Sequence, residues 1–430
     1  MSAVKKWLKS LEVYLDPRMV VLLGLGFSSG LPRLLVYSTL SFWLLEAGLE
    51  IESVGLFAAT ALPYNLKFLW APLLDRVSLP FVGSRLGLRR GWLLVLQLSL
   101  IAAIAVLAAS NPTAQPVACA VAAIVVAAVS ASQDVVIDAY RVEILDDEEQ
   151  GAGAAVAVFG YRLGMLVASA GALYIAAWSG SWPLTYLLMA ASVGVGIVAT
   201  LATFEPERPE PEEPLEGFAD HFQDAVIGPL SDFAKKRGWL VILLFVLLYK
   251  LGDALAGTMT NPFLVELEFS KTDIANIAKT YGLVASIIGV FLGGALVRRA
   301  GIVAALWIAG FFQMASNLMF SYQATVGHDL GVLTATIGIE EFTGGLATAA
   351  FVAYLSALCN KRYTATQYAL LTAISSLLQT LASTTSGFLA DYLGWWTYFA
   401  VTAVSALPGL ALLAVMTLTN RTGLEERSSG

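Results

Sequence analysis

Residues 91–110 read GWLLVLQLSLIAAIAVLAAS, an apolar run without an ionisable side chain. A helix of about 20 apolar residues is long enough to cross the hydrocarbon core of a bilayer. Comparable runs follow one another through the 430 residues of the chain, separated by short breaks. The chain is 57% hydrophobic and only 13% charged, whereas a soluble domain is about a quarter charged. The sequence therefore predicts an all-α protein that crosses a membrane many times.

We predict twelve membrane-spanning helices, numbered as spans 1 to 12. They cover residues 18–45, 53–74, 91–110, 115–140, 152–178, 183–203, 238–264, 274–297, 302–321, 329–358, 364–390 and 393–418. Lys and Arg are concentrated in the breaks on one side of this arrangement, whereas the breaks on the other side hold only Lys271. Because cytoplasmic loops carry the excess of positive charge, we expect both termini in the cytoplasm.

The longest break, residues 204–237, divides the spans into two sets of six. It begins with a stretch rich in Pro and Glu, which favours an extended linker. Further on, Phe218, Phe222, Val226 and Leu230 recur at every fourth position. This spacing indicates a short amphipathic helix on the cytoplasmic face. The alternative, a flexible linker without helical structure, agrees equally well with the sequence. The predicted organisation is an N-terminal bundle (1–203), a linker (204–237), a C-terminal bundle (238–418) and a tail (419–430).

The two halves share a weak internal similarity. Asp75-Arg76 and Arg89-Arg90 mark the break between spans 2 and 3, and Arg298-Arg299 marks the corresponding break between spans 8 and 9. Two six-helix halves with nested inverted repeats are the plan of major facilitator transporters. We therefore predict that fold, with Asp75 and Arg76 as candidate gating residues of the cytoplasmic loop.

Residues for metal, disulfide or nucleophilic chemistry are scarce. The two cysteines, Cys119 and Cys359, fall in or beside apolar spans, and the two histidines, His221 and His328, lie outside them. This excludes a disulfide framework and offers no metal-ligand spacing, so we expect neither a metal nor a cofactor. Much of the net charge of −7 belongs to the acidic linker, and nucleic-acid binding has no support.

Ionisable side chains inside the spans are confined to spans 1, 2, 4, 5, 7, 8 and 10. The basic ones are Arg33, Lys67, Arg162, Lys250 and Lys279, and the acidic ones are Asp134, Asp138, Asp253, Glu340 and Glu341. A charge in hydrocarbon is costly unless it faces a cavity or a partner. Spans 3, 6, 9 and 12 are therefore expected to face lipid, while the others enclose a polar path, as a transporter requires.

Asp134 and Asp138 are candidates for proton coupling. They are four residues apart, on one face of span 4. Two carboxylates this close in a low dielectric resist being charged together, so the pair can hold a proton. The alternative is a structural pair in which Asp138 bonds Arg141 or the loop of Arg76.

Asp253 and Glu340 are the corresponding candidates in the second half. Lys250 and Asp253 are three residues apart and could simply satisfy each other. Glu340 and Glu341 are adjacent, so at most one of them faces a central cavity well. We expect Asp134 to share its coupling role with Asp253 or Glu340.

Candidate substrate-binding residues combine cations with aromatic and amide side chains. Arg33 follows Gly30-Leu31-Pro32, where a kink is expected, and suits a carboxylate ligand or an ion-pair gate. Lys67 is as well suited to pair with Asp134 as to contact substrate. The other candidates are Arg162, Lys250, Tyr37, Gln133, Tyr161, Tyr249, Gln367 and Gln379. The alternative for each Tyr and Gln is that it only holds helices together.

Several stretches, in order along both halves, resemble the AmpG muropeptide permease family of the major facilitator superfamily. They are GFSSGLP (26–32), KFLWAPLLDR (67–76), SASQDVVIDA (130–139), GAGAA (151–155), GYRLGML (160–166), LYKLGDA (248–254), CNK (359–361) and ATQYALL (365–371). The linker and the end of span 12 depart from the family pattern.

The resemblance implies proton-driven import of N-acetylglucosaminyl-1,6-anhydro-N-acetylmuramyl peptides from periplasm to cytoplasm. The protein would then reside in the bacterial inner membrane, serve cell-wall recycling and feed the signal that induces β-lactamase in some bacteria. Its partners would be muropeptide, protons and the bilayer, and a monomer is expected. One alternative is a major facilitator for another amphipathic anion, such as a CoA ester. Another is a membrane enzyme that acts on lipid-linked sugars.

Overall fold

The computed structural model describes residues 11–48, 60–207 and 227–424. The long helical segments in these ranges are α1 (Pro17–Glu46), α2 (61–76), α3 (Leu88–Ala109), α4 (Pro116–Ile144), α5 (Gln150–Ser179), α6 (Trp182–Ala202), α7 (Trp239–Glu266), α8 (Asn276–Ala300), α9 (Ile302–Val326), α10 (Leu330–Leu358), α11 (Thr364–Leu393) and α12 (Trp395–Leu418). All except α2 and α11 are long and apolar enough to cross a membrane. The all-helical prediction is confirmed, whereas the number of twelve spans stays a prediction.

Helix α1 changes its winding where the sequence predicts a kink. It begins at Pro17, and the side chain of Asp16 caps it by accepting a hydrogen bond from the backbone N–H of Arg18 at 2.8 Å. Pro32 lies inside the helix and cannot donate to the preceding turn, and a π-helical stretch, Leu35–Thr39, follows directly. Arg33 lies between Pro32 and this irregular stretch, at mid-helix.

Helix α2 is interrupted at Lys67. Its pieces are Ala61–Leu66, a 3₁₀ turn at Lys67–Leu69, and Ala71–Arg76. The indole N–H of Trp70 donates to the hydroxyl of Ser132 on α4 at 2.9 Å, which ties the interruption to its neighbour. The break in the helix places Lys67 at a bend, with its side chain half-buried.

Each half of the chain has its own apolar clusters. Buried residues of α1, α3, α4, α5 and α6 form one, with Trp43 and Tyr186 among its largest side chains. Residues of α7 to α12, such as Phe245 and Tyr354, form most of another. A third cluster crosses the halves, because Ala365 of α11 packs among residues of α1 to α5.

The halves meet at one end of the protein. Tyr14, just before α1, donates to the carbonyl of Phe291 on α8 at 2.6 Å. Arg141 near the end of α4 donates to Ser356 near the end of α10 at 3.0 Å. The residues after α12 lie at the same end, because the hydroxyl of Tyr354 on α10 donates to the carbonyl of Thr422. We call this end, which holds both ends of the described chain, the termini end.

The linker is described only in part. A helix, Gly228–Lys235, packs beside the start of α11, with Phe233 buried and Leu230 half-exposed. Its Asp232 accepts hydrogen bonds from Asn360 and Gln367. The other predicted positions of the amphipathic helix, residues 218, 222 and 226, lie outside the described ranges.

The start of one helix differs from the predicted start of its span by three residues, and the difference matters for the site. Span 3 was expected to begin at residue 91, with Arg89 and Arg90 in the preceding break. Helix α3 instead begins at Leu88, because the carboxylate of Glu205 accepts hydrogen bonds from the backbone N–H groups of Arg89 and Arg90 and so caps the first turn. Arg89 thus lies inside the protein, fully buried.

Candidate functional site

Two cavities between the halves bring the predicted charges together. The larger, of about 540 Å³, is lined by Arg33, Lys67 and Asp134 and by one face of α11. The second, of about 240 Å³, shares those three residues and adds Asp138 and Tyr161. The side chains therefore surround a common polar space between the bundles.

Asp134 lies in the wall of both cavities. Its Oδ1 accepts a hydrogen bond from the hydroxyl of Ser29 on α1 at 2.5 Å. Lys67 and Arg33 face the same space, so the carboxylate has two cations near it. A carboxylate that faces solvent on one side and cations on another can exchange a proton or a partner during transport.

Arg33 belongs to an aromatic wall. Its Nη1 donates to the hydroxyl of Tyr161 at 3.3 Å, and its guanidinium lies 5.7 Å from the ring centre of Tyr64. The rings of Tyr37 and Tyr64 are 6.5 Å apart. Arg33 is exposed, so its remaining donors are open to a ligand. Close backbone packing fixes this wall, because a Cβ on Gly30 would lie 2.0 Å from the carbonyl oxygen of Tyr161.

Lys250 and Asp253 satisfy each other in the C-terminal bundle. Lys250 Nζ lies 2.6 Å from Asp253 Oδ2 and 3.4 Å from the hydroxyl of Thr348 on α10. This is the local pairing that their spacing allows. Glu340 lies within electrostatic range of both residues. Its neighbour Glu341 is within reach of Ser286 on α8.

Arg162 joins the two bundles near their centre. From α5 it donates to the hydroxyl of Ser286 on α8 at 3.0 Å. Glu341 approaches the same hydroxyl from α10. The hydroxyl of Ser286 therefore lies between the guanidinium of Arg162 and the carboxylate of Glu341, which belong to opposite bundles. Lys279, by contrast, is exposed and bonds Asn261 of α7 at 3.0 Å.

Asp138 makes a contact that the structural alternative predicts, and its role in proton coupling stays a prediction. Its carboxylate lies 3.8 Å from Arg141, one turn further along α4. Arg141 is itself buried, donates to Gln150 and Ser356, and lies 5.3 Å from the ring centre of Tyr368. Asp138 still lines the smaller cavity and is a third exposed, so it remains within reach of water.

Three predicted binding residues pack between elements instead of lining the two cavities between the bundles. Gln133 is fully buried and accepts from Ser28. The hydroxyl of Tyr249 donates to the carbonyl of Leu306 at 2.9 Å. Gln367 bonds the backbone N–H of Asn360 and the Gly228–Lys235 helix. These contacts favour the helix-packing alternative, because each of the three side chains bonds another helix or loop, while Gln133 Nε2 has no partner among the described residues.

Gln379 is different, because it is half-buried on α11. Its Nε2 donates to the hydroxyl of Ser375, one turn back on the same helix, at 3.1 Å. Its role as a ligand stays a prediction.

A buried ion network closes the termini end. Arg89 Nη2 lies 2.6 Å from Asp75 Oδ1 and 2.6 Å from Glu143 Oε1. Asp75 also accepts from the backbone N–H groups of Ala365 and Thr366 at the start of α11. A carboxylate at a helix N-terminus meets both unpaired donors and a favourable dipole. The guanidinium of Arg76 lies 4.9 Å from the ring centre of Tyr363.

Sequence reasoning missed several members of these sites. Arg89 and Glu143 were read as parts of breaks, and Tyr64 was passed over although it stands three residues from Lys67. A usable signal was present for Arg89, because it follows Gly87 and precedes a long apolar run. Glu143 is joined to it only by the fold, across 54 positions.

The comparisons with known proteins agree with one another. The sequence profile of the Major Facilitator Superfamily matches residues 22–339. The anhydromuropeptide permease of Escherichia coli (strain K12) is 41% identical over 408 residues, covering 94% of this chain and 81% of its own. Putative transporter AmpG 4 of Rickettsia felis is 36% identical over 403 residues, covering 94% of this chain and 97% of its own.

A solved structure shares the fold. The major facilitator transporter FucP in the outward conformation superimposes with a TM-score of 0.68 at 16% identity, covering 94% of this chain and 99% of its own. The relatives are permeases and transporters rather than enzymes, which sets aside the membrane-enzyme alternative. The protein is a multi-pass membrane protein that belongs to the major facilitator superfamily and, within it, to the AmpG anhydromuropeptide permease family.

Proposed function

We propose that this protein imports anhydromuropeptides together with protons, from the periplasm to the cytoplasm, by alternating access. The observation that carries the proposal is the cavity of about 540 Å³ between the bundles, which holds Arg33, Lys67 and Asp134 in one wall. A muropeptide carries carboxylates, an amino group and sugar rings. A cavity with both signs of charge and an aromatic wall suits such a cargo. The permease relative from Escherichia coli supports the same cargo class.

Orientation follows from the charges of the loops. Lys and Arg are concentrated in the breaks at the termini end, so this end lies in the cytoplasm of an inner-membrane protein. The network of Asp75, Arg89 and Thr366 then closes the cytoplasmic side. Closure on that side supports entry of the cargo from the periplasm.

Arg33, Lys67 and Arg162 hold the cargo carboxylates in this account. Arg33 has open donors, and Arg162 is held by the hydroxyl of Ser286, which a carboxylate can displace because it makes the stronger hydrogen bond to a guanidinium. Binding at Arg162 thereby loosens a contact between the bundles. Rocking of the bundles then carries cargo to the cytoplasmic side.

Asp134 carries the proton, with Asp253 or Glu340 taking part. Loading with cargo and proton releases Asp75 from the start of α11, and the cytoplasmic side opens. The protein works as a monomer, since one chain supplies both bundles and the cavity between them. Through muropeptide uptake it serves cell-wall recycling and, where the product induces β-lactamase, antibiotic resistance.

Uptake by the purified protein tests the proposal. Proteoliposomes are given labelled anhydromuropeptide with and without an imposed proton gradient, acidic outside. We expect accumulation above the external concentration only with the gradient. A CoA ester serves as the competing cargo. Accumulation of the CoA ester but not of the muropeptide would contradict the proposed cargo, and uptake indifferent to the gradient would contradict proton coupling.

A further inference from the structure

A small polar cavity lies inside the C-terminal bundle, away from the space between the bundles. Lys250 and Asp253 of α7 and Gln313 and Asn317 of α9 line it. It offers about 10 Å³ to the centre of a water molecule, which is room for one. Helix α9 corresponds to a span that was expected to face lipid, so an inward polar face there calls for a physical explanation.

Polar atoms at this cavity lack a hydrogen-bond partner among the described residues. They are Asp253 Oδ1, Gln313 Nε2 and Oε1, and Asn317 Nδ2 and Oδ1. Gln313 is 7% exposed and Asn317 is 1% exposed, so bulk solvent does not satisfy them. Folded proteins pair nearly all buried polar groups with protein atoms or ordered water. The concentration of such atoms around one small space therefore indicates a ligand.

Glycines on the neighbouring helices make room for the two amides. Asn317 Nδ2 lies 3.4 Å from the position that a Cβ on Gly252 would occupy, and Gln313 Oε1 lies 3.3 Å from the corresponding position on Gly344. The amides are four residues apart and share one face of α9. They are thus directed at α7 and α10, the helices that carry the ion pair and Thr348.

We propose that one water molecule binds in this cavity, held by Asp253 Oδ1 and by the amides of Gln313 and Asn317, and that both amides are positioning residues for Asp253. A water molecule can donate to the carboxylate and to an amide oxygen while it accepts from an amide N–H. Lys250 already balances the charge of Asp253 from 2.6 Å away, which favours water over a second cation.

The bound water holds the carboxylate of Asp253 in the orientation that meets Lys250. The titratable groups that face Asp253 are Lys250 and Tyr249 on its own helix and Glu340 and Glu341 on α10. The residues with which α9 and α12 line the cavity carry no ionisable group. This positioning role rests on the proposed function, in which Asp253 takes part in proton coupling.

Met314 lines the same cavity and reports the water directly. Radiolysis by a synchrotron beam turns bound water into hydroxyl radical, which oxidises an adjacent thioether. In the purified full-length protein, we expect Met314 to be oxidised about tenfold faster than in the Asn317→Leu or Gln313→Leu variant. Equal oxidation rates in the wild type and in both folded variants would overturn the water site.

The matched control is Gln97→Leu, which removes another buried amide, in the N-terminal bundle. It is expected to leave the oxidation of Met314 unchanged. Thermal unfolding in sodium chloride and in choline chloride separates the two possible ligands. A higher unfolding temperature in sodium, lost in Asn317→Leu, would mean that the site holds a cation and would overturn the assignment to water.

Transport tests the positioning role separately. We expect Asn317→Leu to lower gradient-driven accumulation of muropeptide several-fold while exchange of labelled for unlabelled cargo persists, because Asp253 is no longer held against Lys250. A purely structural role would lower both. In an Asp253→Asn background, Asn317→Leu should cause no further loss of accumulation. Unchanged accumulation, or an equal loss of accumulation and exchange, would overturn the positioning role. Absence of uptake by the wild type would instead overturn the proposed function, while the oxidation of Met314 would still decide the water site.

Discussion

Asp75 and Thr366 belong to different bundles, yet the Asp75 carboxylate accepts hydrogen bonds from both the backbone N–H and the hydroxyl of Thr366, at 2.8 Å and 2.7 Å. The contact is fully buried and places a negative charge on the N-terminus of α11. Because it joins the bundles at the termini end, the two cannot separate there while it lasts. It is one of the contacts, with those of Tyr14 to Phe291 and Arg141 to Ser356, that must break before that end can open.

Asp75→Asn is expected to open the termini end, because the charge at the start of α11 and its pairing with Arg89 are both lost. Cys359 is buried beside this end, whereas Cys119 is buried near the start of α4, at the other end. We expect maleimide to label Cys359 about tenfold faster in the variant, since charge-assisted hydrogen bonds are among the stronger ones. Labelling of Cys119 should not change.

The control for this measurement is Asp391→Asn, which removes an exposed carboxylate near the far end of α11. Maleimide should label Cys359 in this variant at the same rate as in the wild type. Unchanged labelling of Cys359 in Asp75→Asn would show that the contact does not hold the termini end closed.

Arg89→Ala is expected to lower the free energy of unfolding by about 3–5 kcal/mol, because it leaves the buried carboxylates of Asp75 and Glu143 without their shared cation. Thermal unfolding in detergent measures the loss. The free energy of unfolding of Arg89→Lys should lie between those of the wild type and Arg89→Ala. Lysine keeps the positive charge but lacks the guanidinium fork that meets both acids.

Arg90→Ala is the matched control, because that side chain bonds only backbone carbonyls of α6 among its described contacts. A loss in Arg90→Ala as large as in Arg89→Ala would show that the ion network contributes no special stability.

Gly30→Ala is expected to damage the Arg33 wall. A Cβ at Gly30 would lie 2.0 Å from the carbonyl of Tyr161, so α1 and α5 must move apart. We expect the apparent KM for muropeptide to rise at least several-fold and the unfolding temperature to fall. Gly194→Ala is the control, because a Cβ there meets nothing within 4 Å, and it should transport normally. Similar kinetics in both variants would mean that the close approach is not needed for binding.

Arg33→Ala is expected to raise the KM for muropeptide about tenfold or more, because a charge-assisted hydrogen bond to a carboxylate is lost. Maximal uptake should change less, since Asp75 and Asp134 remain. Uptake across a range of cargo concentrations separates the two effects. Arg85→Ala removes an exposed arginine at the termini end and should leave the KM unchanged. An unaltered KM in Arg33→Ala would remove Arg33 from the binding site.

The sequence was sufficient for the fold class and for much of the cavity wall, because both follow from the cost of charge in hydrocarbon. That cost predicts that Arg33, Lys67 and Asp134 face a polar space inside the protein, and all three line the cavity between the bundles. The same argument is silent about polar residues without charge. It therefore did not predict the polar cavity beside Asn317 on α9, a helix that was expected to face lipid.

The ion network at the termini end was missed for another reason. Charges near the ends of spans are ordinarily solvated, so Glu143 gave no sign of its burial, and Arg89 gave only its position between Gly87 and a long apolar run. Their burial depends on the cap that Glu205 gives to α3 and on the approach of α11, both of which join residues far apart in sequence. Gln133 and Gln367 are the opposite case, because a polar side chain inside a span need not face the cavity, and both lie between helices or loops. Their role in binding stays a prediction.

Asp134→Asn in proteoliposomes tests the central claim most directly. The account predicts that the variant loses accumulation of labelled anhydromuropeptide under an imposed proton gradient, because the amide cannot carry the proton. Exchange of labelled for unlabelled cargo across the membrane should persist, since Arg33 and the aromatic wall remain. Accumulation by Asp134→Asn at the wild-type level would contradict the account, because the carboxylate in the wall of both cavities would then not be the coupling group.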